Sequence, residues 1–230
     1  TITVTVVAVQ VVTVSAPAQI QDLSALQAFE QTIQTALGSS PWNVIKINGT
    51  LDLDGQVGQP NYGNLSDYQF LTKVVEITGT LSLHEWTPPV GSQNLELFSN
   101  LESVGGIRIN HIHGTGTTYT SLSGLGKLTS ISGDVFIYNG SNLTNLNGLN
   151  NLTSIGGTLE IGRGYSLTDM TGLDSLTSIQ NLKVWKNLSN DLISLNGLPS
   201  GSQVTGYMSV QLNDNLATMA GTGVTHVGGA

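Results

Sequence analysis

The chain has 230 residues, only a tenth of them charged, with a formal net charge of −8. That balance argues against nucleic acid and anionic membrane, which both call for a basic patch, and no stretch reaches the roughly 20 apolar residues of a membrane span. With no cysteine there is no disulfide frame, no thiolate nucleophile and no zinc site of the usual cysteine type.

Residues 1–16 open the chain as an extended β segment, TITVTVVAVQVVTVSA, rich in β-branched residues that suit a pleated surface. Ile2, Val4 and Val6 alternate, then the phase slips to Val7, Val9 and Val11, as at a bulge. A segment so apolar and uncharged is an aggregation hazard as a free edge, so it is expected to find a strand partner. Pro17 closes it. A helix is expected over about residues 22–37, where Leu26, Phe29, Ile33 and Leu37 share one face to lie on the end of a stack. Gly38 suits its C-terminal cap, and Pro41 prevents continuation.

From Ile45 a repeat takes over. Its clearest copies are LTSISGDVFI (128–137), LTSIGGTLEI (152–161) and LTSIQNLKV (176–184), each preceded by a segment such as NLNGLNN. The motif reads as a Ser-Ile turn followed by a short strand. Inward pairs are expected at Leu51/Leu53, Leu81/Leu83, Ile107/Ile109, Val135/Ile137, Leu159/Ile161, Leu182/Val184 and Met208/Val210. Leucine corners such as Leu146/Leu149/Leu152 supply a second apolar line. Gly79, Gly106, Gly133, Gly157 and Gly206 precede strands, where a side chain would obstruct the turn. A unit this short cannot bury its own apolar face, so copies must stack on one another. The fold class is therefore mainly β, a parallel solenoid over residues 17–230 with one capping helix and a protruding N-terminal strand.

This grammar, nLtsIgG followed by a short apolar strand, resembles the receptor L-domain, over about residues 18–227. The resemblance implies a leucine-rich right-handed β-helix of the kind found in growth-factor receptor ectodomains and microbial cell-surface proteins. Receptor L-domains usually carry cysteines and this chain has none, so hormone binding is not implied. The N-terminal strand lies outside the family pattern.

Chemistry-bearing residues are sparse. His111 and His113, with His84 and Glu85 nearby in the preceding coil, would make a zinc set only if brought together; exposed polar histidines are the plainer expectation, and no metal or cofactor is assigned. Asp52 and Asp54 share one side of a strand, as acid/base or calcium-binding pairs do, although the same spacing describes a solvated strand face. No nucleophile elbow, phosphate loop or metalloprotease helix occurs, and the chain is not expected to be an enzyme. After each strand an outward position holds His84, Asn110, Tyr138, Gly162, Trp185 or Gln211, and stacked coils would align these into a column. Tyr138 and Trp185 there, with Trp86 in an early loop, are the candidate surface for a glycan or partner protein. Longer insertions at 54–70, 84–94 and 110–120 fall along one edge, where repeat proteins vary their binding surfaces. Glycosylation sequons stand at Asn48, Asn64, Asn139, Asn142, Asn151 and Asn187.

The chain begins at Thr1 rather than Met, as expected after leader removal or in a fragment. THVGGA at 225–230 aligns with ESVGG at 102–106, the lead-in to a strand. These ends predict an extracellular or cell-surface filament subunit. Its assembly strand (Ile2, Val4, Val6, Val7, Val9, Val11) would add head-to-tail to the next copy, the alternative being that it pairs along its own solenoid as a cap. The alternatives are an adhesion or ligand-binding module and, more remotely, a carbohydrate-active enzyme.

Overall fold

The computed structural model describes residues 11–17, 19–20, 23–38, 43–54, 65–84, 86, 94–110, 120–138, 142–163, 166–185, 192–213, 216 and 224–228. In chain order the strands are β1 (Val11–Ser15), β2 (Val44–Asn48), β3 (Leu51–Asp54), β4 (Val74–His84), β5 (Ser103–Asn110) and β6 (Ser130–Ile131). They continue with β7 (Val135–Tyr138), β8 (Ser154–Gly162), β9 (Ser178–Trp185), β10 (Ser202–Val204), β11 (Met208–Gln211) and β12 (Val224–Val227). Among the described residues the α-helices α1 (Leu23–Leu37) and α2 (Leu65–Tyr68) join them. Every ladder is parallel, so each coil rests on the one before it and the architecture is a β-solenoid.

Two strand columns line the solenoid. In the first, Val14, Ile47, Ile77, Val104, Ile131, Ile155, Ile179, Val204 and Val227 follow one another in register. In the second, Ile20, Leu53, Leu83, Ile109, Ile137, Ile161, Val184 and Val210 do the same. The inward pairs read from period-2 alternation are these residues and their neighbours, and from Leu51 to Val184 all are buried. The third side is the leucine corner, where Leu122, Leu125, Leu128 and their equivalents are buried. Coils join there by single backbone bonds: Leu122 N–H donates to Asn147 O (2.7 Å) and Leu146 N–H to Thr171 O (2.7 Å). Each fully buried Leu or Ile contributes roughly 1.5–3 kcal/mol, so one spine running through every coil holds the stack.

The Ser-Ile element of the repeat is strand, not turn: Ile131, Ile155 and Ile179 form the first column. Its threonine is fixed from below. Thr153 donates through both N–H and Oγ1 to Thr129 O, and Thr177 does so to Thr153 O. Glycines mark the corner between the columns because the coil beneath passes there. A Cβ on Gly79 would lie 2.6 Å from Gly49 C, and one on Gly133 2.6 Å from Gly105 O.

Helix α1 buries Leu26, Phe29, Ile33 and Leu37 against the first coil, as its stripe predicts. Phe29 meets Phe70 edge-on at 5.7 Å. Gly38 caps the helix at φ 62°, its N–H bonded to Gln34 O at 3.1 Å.

The N-terminal strand departs from the expectation of a protruding segment. Val11–Ser15 pairs in parallel with Val44–Asn48 of the same chain, and Val14 is buried in the first column. An unpaired Thr/Val strand takes the nearest compatible edge, which here is its own second coil. Of the proposed assembly residues only Val11 is described, exposed at the start of β1; Ile2, Val4, Val6, Val7 and Val9 lie outside the described residues. At the other end β12 resumes the first column, so the stretch read as the lead-in to a strand is itself strand. Among the described residues β11 pairs only with β9, and Met208 and Val210 are only partly buried.

Candidate functional site

The outward side of the second column carries the polar and aromatic side chains. Asp52, Ser82, Arg108, Phe136, Glu160, Lys183 and Ser209 stand in one register row. The next row is Asp54, His84, Asn110, Tyr138, Gly162, Trp185 and Gln211. The expected column after each strand is therefore formed. Of the first row the sequence singles out only Asp52 as a candidate, although the row is simply the residue between the two members of each inward pair.

The rows meet in an aromatic cluster. Phe136 and Tyr138 stack at 5.9 Å and 10°, and Tyr138 meets Trp185 edge-on at 6.3 Å. Gly162 lies between Tyr138 and Trp185 in the row and makes this contact possible. A Cβ there would sit 2.7 Å from Trp185 Nε1. The indole leans into the space, with its buried Nε1 lacking an acceptor among the described residues. Two cations flank its ring, Arg163 at 5.4 Å and Lys183 at 5.3 Å. Arg163 has left-handed backbone (φ 55°), held by an N–H bond to Trp185 O.

Beneath the rings Glu160 is 8 % exposed. A buried carboxylate needs partners, and Glu160 has Lys183 Nζ at 2.8 Å and the Tyr138 hydroxyl, which donates to it. Burial, then the charge and hydrogen bond of Glu160, push the Tyr138 phenol well above its ordinary pKa. The cluster joins these ring contacts to one compensated charge pair, Glu160 with Lys183.

Beside it, over β3 to β7, the same face hollows into a groove of about 480 Å³ lined by Asp52, Ser82, Arg108 and Phe136. Asp52 is half-buried there and its Oδ1 is buried without a hydrogen-bond partner among the described residues. It is thus more enclosed than a solvated strand face would be; the Asp54 side chain lies outside the described residues.

Trp86 does not belong to this surface. It is 2 % exposed and packs edge-on against Tyr68 (5.8 Å) and Phe98 (6.2 Å), because its large apolar ring fills the core beside α2. Glu85, His111 and His113 lie outside the described residues, as does most of the three insertions. Among the described residues no three metal-ligating side chains come together. Of the sequons, Asn48, Asn142 and Asn151 are exposed, and Asn151 Nδ2 donates to Gly126 O at 2.8 Å. Asn64, Asn139 and Asn187 lie outside the described residues.

These features define a leucine-rich parallel solenoid with one decorated sheet face. Residues 104–192 match the model of the family described as Receptor L domain, and that stretch is receptor L-domain-like. The matched stretch includes Phe136, Tyr138, Glu160, Lys183 and Trp185. The comparisons with curated proteins and with solved structures returned no match. The match suggests a ligand-binding or structural surface module. No helix among the described residues is long and apolar enough to cross a membrane.

Proposed function

We propose that the protein is a non-enzymatic extracellular or cell-surface recognition module that binds a glycan along the outward face of its second strand column. The observation that carries this reading is the register-aligned strip from Asp52 to Trp185. It combines stacked rings with hydroxyl, carboxylate and guanidinium groups on a backbone that stacking holds rigid. Five strand steps at about 4.8 Å span about 24 Å, enough for a chain of several sugar rings. Aromatic faces take the apolar side of a sugar, and the intervening polar groups satisfy its hydroxyls. On a glycan array the wild-type protein should bind, and Trp185→Ala and Tyr138→Ala should weaken binding by about tenfold or more. Undiminished binding by both variants would remove the strip from the function. Exposed sequons at Asn48 and Asn142 fit the same compartment.

A filament subunit is the second reading, favoured by β11, whose outer edge has no strand partner among the described residues. Residues 1–10 of a neighbouring copy would then add there, on the strand-addition logic by which open edges recruit chains. Deleting residues 1–10 should abolish polymers in negative-stain images and leave a folded monomer. Polymers that persist in the deletion variant would end this reading.

A further inference from the structure

The groove beside the aromatic cluster has a donor and acceptor pattern of its own. Asp52, Ser82 and Arg108 occupy successive strands, so carboxylate and guanidinium start two strand spacings apart, about 10 Å along the sheet. Between them stand the hydroxyls of Ser82 and Thr80, and the Phe136 ring forms the far wall. Gly105, Gly106 and Gly133 line the groove beside these side chains. Asp52 lines the groove half-buried, with no hydrogen-bond partner for its Oδ1 among the described residues, while Arg108 is exposed and makes no ion pair among them.

Ligand classes can be sorted by what each would leave unpaired. A simple anion would satisfy Arg108 but face Asp52, and a simple cation would do the reverse. An apolar molecule would strand both groups, at about 1–3 kcal/mol for each buried polar atom left unmet. A neutral ring bearing several hydroxyls answers the whole pattern. Its hydroxyls donate to Asp52 and accept from Arg108, while its C–H face rests on Phe136.

We infer that this groove is a hexopyranose subsite in which Asp52 and Arg108 fix the hydroxyls and Phe136 carries the apolar face. The inference rests on the glycan-binding reading of the strip and deepens it, and its test turns on Asp52 and Arg108 at one end of the strip rather than on the Tyr138 and Trp185 rings at the other. The test is saturation-transfer NMR with the methyl glycosides of glucose, mannose and galactose, on wild type, Asp52→Asn, Arg108→Ala and Trp185→Ala. Wild type and Trp185→Ala should show transfer to at least one hexoside, and Asp52→Asn and Arg108→Ala should weaken it by about tenfold. Because Asp52→Asn removes an unpaired carboxylate oxygen, its melting temperature should equal or exceed that of wild type, which a structural role for Asp52 would not allow. Should Asp52→Asn lose stability, Arg108→Ala decides alone, since that side chain is exposed. No transfer from wild type to any of the three hexosides, or full transfer in Arg108→Ala, would overturn the subsite. A Trp185→Ala variant that loses array binding while Asp52→Asn and Arg108→Ala keep hexoside transfer would sink the subsite and leave the strip standing. The opposite pattern would sink the strip and keep the subsite.

Discussion

Replacing Gly148 by alanine is expected to destabilise the protein by about 3 kcal/mol or more, from backbone strain and overpacking together. Gly148 has φ 113°, a conformation that L-residues rarely adopt. Its missing Cβ also marks where the preceding coil passes. An added methyl would collide with the carbonyl of Leu122 and come within 2.8 Å of Ser123 N. That carbonyl accepts from Leu125 N–H, and Leu122 N–H donates to Asn147 O at 2.7 Å, so relieving the clash breaks the joint between two coils. Gly124, Gly172 and Gly197 repeat the arrangement one coil at a time, with φ of 112°, 109° and 120°. In a solenoid each coil touches only its neighbours, and a joint lost in the middle uncouples the two halves. Urea unfolding of three variants separates the contributions. Gly126→Ala, with normal φ and open space around it, should stay within about 0.5 kcal/mol of wild type. Gly201→Ala, at φ 94° with nothing within 4 Å, should show the cost of strain alone, about 1–3 kcal/mol. If Gly148→Ala costs no more than Gly201→Ala, the close passage of the coils carries no energy and the account of the repeat's glycine is wrong.

The repeat made most of the fold legible, because a period of about one coil in the sequence becomes vertical register in space. Leu159 and Leu182 are far apart in the chain and adjacent in the ladder, and period-2 alternation had placed both inward. The same arithmetic brought Tyr138 and Trp185 together across Gly162, and it would have joined Glu160 to Lys183 had the outward residues within each pair been followed too. Other features carried no such signal. Two residues, Ser130 and Ile131, are too few to show a strand period, so the first column read as turn. The early strand could have met any open edge, and only its register with Val44–Asn48 shows that it stacks on the next coil of its own chain. Trp86 stands in an insertion without periodicity, where an aromatic residue at the surface and one in the core look alike. Asp52 read as solvated because the hollow that half-encloses it is lined by residues of later coils, Arg108 and Phe136 among them, far from it in the chain.

Trp86→Ala is expected to cost about 3–5 kcal/mol of stability, the range for truncating a large buried aromatic. The ring is 2 % exposed and joins α2, through Tyr68, to the turn at Glu96–Phe98 of a later coil. These residues sit where the chain leaves the regular repeat, so no ladder of hydrogen bonds can compensate for the cavity. Trp86→Phe keeps an aromatic edge against both neighbours and should lose distinctly less. Trp185→Ala is the informative contrast. Its indole lies on the sheet surface, half-buried, and removing it opens no closed cavity. Its cost should be about 1 kcal/mol, the worth of its ring contacts, while glycan binding falls. Chemical denaturation of both variants, followed by circular dichroism, ranks them without reference to any ligand. A Trp185→Ala variant that unfolds more readily than Trp86→Ala would exchange the two roles. The outward rings would then be a structural clasp, and the decorated face would lose its claim to a ligand.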